Sequence, residues 1–375
     1  MAASTVSALF KPLEMGSLTL RNRVIMSPLT RSRSTPTNVP NEYNLEHYRQ
    51  RARGGAGLII SEGTLVTQQG TQWENAPGIW GEEHVVAWKK ITDAVHAEGG
   101  HIFAQLWHVG RLCHPDAPEQ KASGTPVYAP SAVAASGGKF RFLPGSPGYV
   151  TPTAIEDPSV LVEAFKKAGI NAKEAGFDGV EVHGANGYLV HQFLDTNSNI
   201  RTDAWGGSVP NRARFGLEII KELVGVFGPD RVGVKLSPAA GYNDVGMPLQ
   251  ETVDTYSYFV TEAQKLGLAY ACFMRLQQTV DVQARGPSTD HDFVETYKPL
   301  MTSTKFFLNG GLTPEDGAAL IEAGKIDGAV FGWLWIAHPD LARRIEKGIP
   351  LDNQVNFQTL FASGHEGYND YPAAT

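Results

Sequence analysis

Apolar positions along this chain fall into two rhythms. Short, mostly apolar runs rich in β-branched residues alternate with longer stretches whose apolar positions recur at helical spacing, the pattern of parallel strands joined by helical crossovers. The short runs predict eight strands: Arg23–Pro28, Leu58–Gly63, His101–Trp107, Gly179–His183, Arg231–Leu236, Ala269–Met274, Lys305–Asn309 and Gly328–Gly332. Helical spacing predicts helices that include Pro158–Ala175, Pro210–Val226, Leu249–Leu266, Pro314–Ala323 and Pro339–Lys347. Several of these open at proline, whose missing N–H costs no hydrogen bond in a first helical turn. Eight similar βα units, with no G-x-G-x-x-G after the first strand, favour an α/β fold of the closed (β/α)8 TIM barrel type over a doubly wound sheet. A single domain over residues 1–375 is expected. One stretch, Arg111–Pro152, breaks the rhythm after strand 3; it is rich in Pro, Gly, Ser and Ala and too long for an ordinary connection. It predicts an inserted loop or small hairpin over the barrel mouth.

Composition narrows the partners more than the fold. Apolar residues at 42% and charged residues at 19% are ordinary for a globular chain with a sizeable core. A formal net charge of -7 opposes binding to a phosphate backbone, so no nucleic-acid partner is expected. No apolar run approaches the roughly 20 residues needed to span a bilayer, and the start Met1-Ala2-Ala3-Ser4-Thr5 lacks the basic region and apolar core of a secretory signal. No membrane association is expected. Two cysteines, Cys113 and Cys272, stand far apart without metal spacing, so neither a disulfide framework nor a metal site is expected. These features suit a cytoplasmic protein, either monomer or homodimer.

A barrel enzyme carries its chemistry where its strands end, and here those ends are polar. Strand one ends in Ser27-Pro28-Leu29-Thr30-Arg31 and strand two in Ser61-Glu62-Gly63-Thr64, while strand three carries Gln105-Leu106-Trp107-His108. Strand four runs into His183-Gly184-Ala185-Asn186-Gly187-Tyr188, and strand five bears Lys235. Strand six closes on Arg275, strand seven on Asn309-Gly310-Gly311, and strand eight on Gly332-Trp333. Donors and acceptors for a planar heterocycle, a cation, and glycine-bearing turns where barrels commonly seat a phosphate suit a flavin mononucleotide. The pattern alone leaves other phosphate-bearing cofactors or substrates open.

Longer motifs add a resemblance. Leu9-Phe10-Lys11-Pro12-Leu13, Arg21-Asn22-Arg23, Pro77-Gly78-Ile79-Trp80, the block from His183 to Leu189, Gln192-Phe193-Leu194, Asp203-Ala204-Trp205-Gly206-Gly207-Ser208, Asn211-Arg212-Ala213-Arg214-Phe215 and Gly367-Tyr368-Asn369-Asp370-Tyr371-Pro372 follow one another in the order seen in the Old Yellow Enzyme family. The chain resembles that family over essentially its whole length. The resemblance implies an FMN-dependent ene-reductase that takes hydride from NADPH or NADH and reduces the C=C bond of a small α,β-unsaturated carbonyl compound. It implies that Thr30 bonds the flavin near its reactive N5, that Pro28 and Gly63 offer backbone contacts, and that Gln105 holds the pyrimidine edge. His183 and Asn186 would bind the substrate's carbonyl oxygen against the flavin, with Tyr188 as the proton donor. Trp107 and Tyr368 would wall the substrate cavity.

Two positions depart from the family pattern. Lys235 stands where many members carry arginine at the flavin N1 edge, giving a point charge in place of a planar fork. Trp333 follows Gly332 where a phosphate-binding arginine is usual, so the phosphate would rest on backbone N–H groups around Gly310, Gly311 and Gly332, helped by the indole or by another basic side chain. Two alternatives stay open: a flavin-dependent isomerase or desaturase on the same fold, and a flavin-free lyase using Lys235 as a Schiff-base nucleophile.

Overall fold

The computed structural model describes residues 5–136, 143–145, 147–239, 241–275 and 289–374. Eight parallel strands form the centre: β1 Val24–Met26, β2 Leu58–Ile60, β3 Ile102–Trp107, β4 Gly179–Gly184, β5 Val232–Leu236, β6 Tyr270–Met274, β7 Lys305–Asn309 and β8 Gly328–Phe331. Each pairs with the next, and β8 returns to β1 through Phe331 opposite Met26, which closes the barrel. All eight strands fall on the predicted runs; β7 matches residue for residue, β4 extends one residue further to Gly184, and the others are trimmed by up to three residues at an end.

Alternation along each strand divides the core in two. Ile25, Leu58, Ile60, Phe103, Tyr270, Cys272, Phe307 and Val330 point inward and pack with one another. Their neighbours Val24, Met26, Ile59, Ile102, Val180, Val232, Ala271 and Phe306 point outward to the helices. Because almost every strand residue is buried, as expected when helices cover the outside, the sequence reads as continuous apolar runs and does not announce which face is inside. Gly233 shows how the interior is filled: a Cβ there would lie 2.3 Å from the ring of Tyr270, so the missing side chain makes room for the large one. An antiparallel hairpin, Leu13–Met15 with Leu18–Leu20, adds Leu13, Met15, Leu18 and Leu20 to the inner cluster at the end where the strands begin. This hairpin is absent from the predicted elements. Its signal is Gly16, whose φ of 58° suits the turn.

The outer layer comprises α1 Glu42–Arg53, α2 Glu82–Ala97, α3 Ser159–Glu174, α4 Val209–Phe227, α5 Leu249–Lys265, α6 Phe293–Tyr297, α7 Pro314–Glu322 and α8 Leu341–Lys347. In α4, Arg212, Phe215, Gly216, Ile219, Ile220 and Leu223 form the buried stripe, at the i, i+3, i+4 spacing that turns one face to the barrel. Thr313 and Asp316 cap α7 reciprocally. The predicted helix at Pro339 begins instead at Leu341, and a short helix Trp333–Ala337 precedes it. Pro339 keeps His338 extended at φ -122° and ψ 91°, which separates the two.

The described part of the segment after β3 is a loop bearing the short helix Pro118–Ala122. Its strand Tyr128–Ala129 pairs in parallel with Thr153–Ala154. Tyr149 and Val150 pack against a cluster that includes Leu65, Trp107, Val109 and Leu112. The segment Leu276–Ser288, which follows β6, lies outside the described residues. Among the described residues no helix is long and apolar enough to cross a membrane, and no group of three His, Cys, Asp or Glu side chains could hold a metal ion.

Candidate active site

The inward face turns polar where the strands end. Gln105 on β3 stands opposite Glu181 on β4, and His183 on β4 stands opposite Lys235 on β5. Gln105 Nε2 donates to Glu181 Oε1 at 2.7 Å, and Tyr270 donates to Glu181 Oε2 at 3.0 Å. With its NH2 engaged by the carboxyl, the Gln105 amide turns its oxygen to the cavity above. Lys235 Nζ donates to Ser27 Oγ at 3.1 Å and to Asn309 Oδ1 at 3.0 Å, and Asn309 Nδ2 is itself spent on the Val330 carbonyl. Two of the three ammonium donors are therefore placed by β1 and β7, which pins the charge near the barrel axis.

Above this layer lies one open cavity, lined by Pro28, Leu29, Thr30, Arg31, Trp73, Gln105, Trp107, His183, Asn186, Tyr188, Lys235, Tyr242, Trp333, Ile336, Leu360 and Phe361. His183 Nδ1 accepts the Ala185 N–H at 3.4 Å, which leaves the ring proton on Nε2 as a donor. Burial, with the Lys235 cation and His191 adding to it, holds this imidazole well below its ordinary pKa, so it is neutral. Tyr188 meets His183 edge-on at 4.9 Å and Trp107 edge-on at 5.0 Å. Burial raises the Tyr188 phenol well above its ordinary pKa, with Tyr242 and Tyr149 adding to the rise, so it keeps its proton.

The loop carrying these groups is held from beneath. Asn186 at φ 58° and Gly187 at φ 75° are both left-handed. The Asn186 N–H donates to Ser237 Oγ at 2.8 Å, and its carbonyl accepts from Asn243 Nδ2 at 2.8 Å. The Gly187 N–H donates to His191 Nδ1 at 3.2 Å, so His191 carries its proton on Nε2 and donates to the Tyr256 hydroxyl at 3.0 Å. Burial, with Arg111 assisting, drives the His191 pKa down to about 3.

Other predicted residues fall around the cavity or behind it. Gly63 lies behind Trp107, where a Cβ would come 2.7 Å from Cε3 of the indole. Gly310 and Gly311, at φ 105° and 65°, form the turn after β7, and Gly332 precedes the short helix after β8. No hydrogen bond among the described residues uses the N–H groups of Gly310, Gly311, Gly332 or Trp333. Arg275, at the end of β6, donates from Nε to the Gly310 carbonyl at 3.0 Å and brings a guanidinium to this turn. Trp333 stands 36% exposed on the rim, 5.4 Å from the Phe357 ring. Cys113 and Cys272 are buried, and burial pushes both thiols up to about 12, so neither is a ready nucleophile.

Tyr368 corrects the expectation of a cavity wall. It is 0% exposed and absent from the lining, with its ring stacked on His47 at 4.0 Å and flanked by the Arg31 and Arg33 guanidiniums at 5.2 and 5.0 Å. The wall is supplied seven residues earlier by Phe361, whose ring meets Trp73 at 5.1 Å. Phe361, Trp73 and Tyr242 were not foreseen, because each sits in a loop where no periodicity marks a direction.

A neutral imidazole donor, an un-ionised phenol, a placed ammonium, an amide oxygen and unspent turn N–H groups form a donor set that fits FMN: charge and an acceptor for a flavin edge, and amides for a phosphate. The comparisons agree with this. The family model for the NADH:flavin oxidoreductase / NADH oxidase family matches residues 8–352. An NADP-dependent oxidoreductase, lnbE, of Aspergillus flavus is 38% identical, covering 98% of this chain and 96% of the relative. A probable flavin mononucleotide-dependent alkene reductase of Leishmania infantum is 37% identical, covering 99% of each chain. Morphinone reductase in complex with tetrahydroNAD superposes with a TM-score of 0.88 at 38% identity, covering 98% of each chain.

Proposed function

The chain belongs to the NADH:flavin oxidoreductase / NADH oxidase family, the Old Yellow Enzymes, and is an FMN-dependent oxidoreductase supplied by a nicotinamide; from that premise we propose that it reduces the C=C bond of α,β-unsaturated carbonyl compounds. Membership displaces the flavin-free lyase in which Lys235 would form a Schiff base. The observation that carries the proposal is the meeting of His183, Asn186 and Tyr188 on one cavity with the first neutral and the last protonated.

Bound FMN supplies hydride chemistry, charged by NADPH or NADH. The chain's own groups do the rest. His183 Nε2 and the Asn186 amide hold the carbonyl oxygen of the substrate, where negative charge develops as the alkene is reduced. Tyr188 delivers the proton to the carbon next to that carbonyl, a transfer that a phenol can make to an enolate. Gln105, Thr30, Pro28 and Lys235 would orient the flavin, and the Lys235 ammonium would counter negative charge on its pyrimidine edge. The N–H groups of Gly310, Gly311, Gly332 and Trp333 would receive the phosphate, and Arg275 would supply the positive charge that Trp333 does not.

The test separates the half-reactions. In Tyr188→Phe, flavin reduction by NADPH should keep its rate, while reoxidation by a cyclic enone should slow by about 10²-fold or more. Equal slowing of both steps would remove Tyr188 from the proton-transfer role.

A further inference from the structure

The outer wall of the cavity is held in an unusual way. Residues 359–369 form no strand and only the edge of a 3-10 turn, yet they place Leu360 and Phe361 against the substrate space. Their backbone carbonyls, several of them part-buried, would be an awkward burden without donors. Arg33 provides them. Its Nε donates to Gly364 O at 2.9 Å, one terminal nitrogen donates to Arg31 O at 2.6 Å and Leu360 O at 3.1 Å, and the other donates to Thr359 O at 2.6 Å and Glu366 O at 3.0 Å. All five guanidinium N–H donors thus have separate carbonyl partners, four of them between residues 359 and 366. Arg31 adds bonds to Leu360 O at 3.0 Å and Gly367 O at 2.6 Å.

The clamp is fixed at its other end too. The Arg31 N–H donates to Glu62 Oε2 at 3.1 Å, and Glu62 Oε1 accepts from Tyr48 at 3.2 Å and Asn44 at 3.3 Å. Thr30 and Arg31 and, from the distant segment, Leu360 and Phe361 all line the cavity, and they are tied through the same two arginines. Inside the segment, Gly367 at φ 61° lies so close to Thr359 that a Cβ would come 1.8 Å from its hydroxyl, so the turn has a single tight path.

We propose that Arg33 is a positioning residue for substrate selection: by gathering the carbonyls of residues 359–366 it fixes the distance between Phe361 and Trp73, and with it the size of alkene the cavity admits. The inference rests on the reading that the alkene occupies this cavity. Lysine cannot replace the arginine, since three rotating donors on one nitrogen cannot span carbonyls arranged around a planar fork.

The experiment uses the FMN-loaded full chain as wild type, Arg33→Lys, Phe361→Ala and Gly367→Ala. Four quantities are measured: hydrogen exchange of the 359–367 amides, FMN affinity by fluorescence quenching, enone Kd from the flavin absorbance, and KM and kcat for 2-cyclohexenone and a bulkier ring-substituted enone. In Arg33→Lys the segment should exchange about tenfold faster while barrel amides hold. KM for 2-cyclohexenone should rise about fivefold with kcat within about twofold, and preference should move toward the bulkier enone. Phe361→Ala should reproduce the change in preference without faster exchange. Gly367→Ala, which displaces the segment without touching Arg33, should reproduce both and stands in if Arg33→Lys fails to fold. Unchanged exchange, faster exchange with unchanged preference, or a matching loss of FMN affinity would each overturn the proposal. If neither enone reoxidises the reduced wild type, the ene-reductase reading fails alone, and exchange with enone Kd decides the clamp.

Discussion

Two walls of the cavity are built by different means. The end of β4, from His183 to Tyr188, is carried by a strand whose neighbours hold it in register on both sides, and its loop is braced by Ser237, Asn243 and His191. The segment 359–369 has no ladder, and its backbone is held largely by side chains of Arg31 and Arg33. The first construction suits groups that must meet a reacting atom within a few tenths of an ångström, because a strand end moves only if the barrel moves. On the proposed function, the second could change without disturbing the chemistry, because its anchor lies outside the group that would handle the carbonyl and the proton.

The sharpest way to break this division is His183→Ala. It removes a donor to the developing negative charge and should lower the rate of alkene reduction by about 10²-fold to 10³-fold, well beyond the effect of Arg33→Lys on the same step. Single-turnover reoxidation with an enone measures it. Comparable losses in both variants would mean that the two walls are one functional unit.

A smaller effect follows from acid. His191 braces the β4 loop only while neutral, and its folded pKa near 3 lies below the unfolded value of about 6.5. Its contribution is therefore fully present above about pH 6.5 and is lost as pH falls toward 3. At pH 5 the loss is about 2 kcal/mol, from 1.5 pH units at about 1.4 kcal/mol each. His191→Gln has no such term, so the stability gap between it and wild type should narrow by about that amount between pH 7 and pH 5 in urea denaturation. The comparison needs the variant, because Glu62 and Glu181, whose carboxyls burial raises, act with the opposite sign on the same pH scale. A gap that does not change with pH would show that His191 is not held neutral.

The smallest effect concerns the cofactor's far end, away from both walls. Arg275→Ala should weaken FMN binding about tenfold, the scale of one charge-assisted contact, with enone preference untouched. Fluorescence titration of the apoprotein would read it. Unaltered affinity would leave the turn amides as the phosphate's holders and return Arg275 to a structural role at Gly310.

Much of the barrel was legible because its signals are local. Each strand is a short apolar run, each helix a stripe, and the breaks between them contain glycine or proline. The polar strand ends were legible for the same reason: once β4 is placed, Asn186 and Tyr188 follow within five residues of His183. Lys235 and Gln105 could be placed at strand ends, but not their partners, since the bond from Gln105 to Glu181 depends on register and on which face is inward. Tyr368 was misread because a motif in the tail says that the tail matters without saying where its rings go; His47 and two arginines claim that ring, and Phe361 takes the wall.

By itself the sequence determined the order of strands and helices, the closed barrel and the residues that end each strand, because backbone periodicity is written in neighbouring side chains. Tertiary structure alone decided which large residues fill the barrel, which aromatic ring lines the cavity, and that the segment bearing it is bonded to Arg33. Four of that residue's five acceptors lie 326 to 333 positions away. Backbone carbonyls are the same in every residue, so no sequence pattern marks the ones a distant guanidinium will collect.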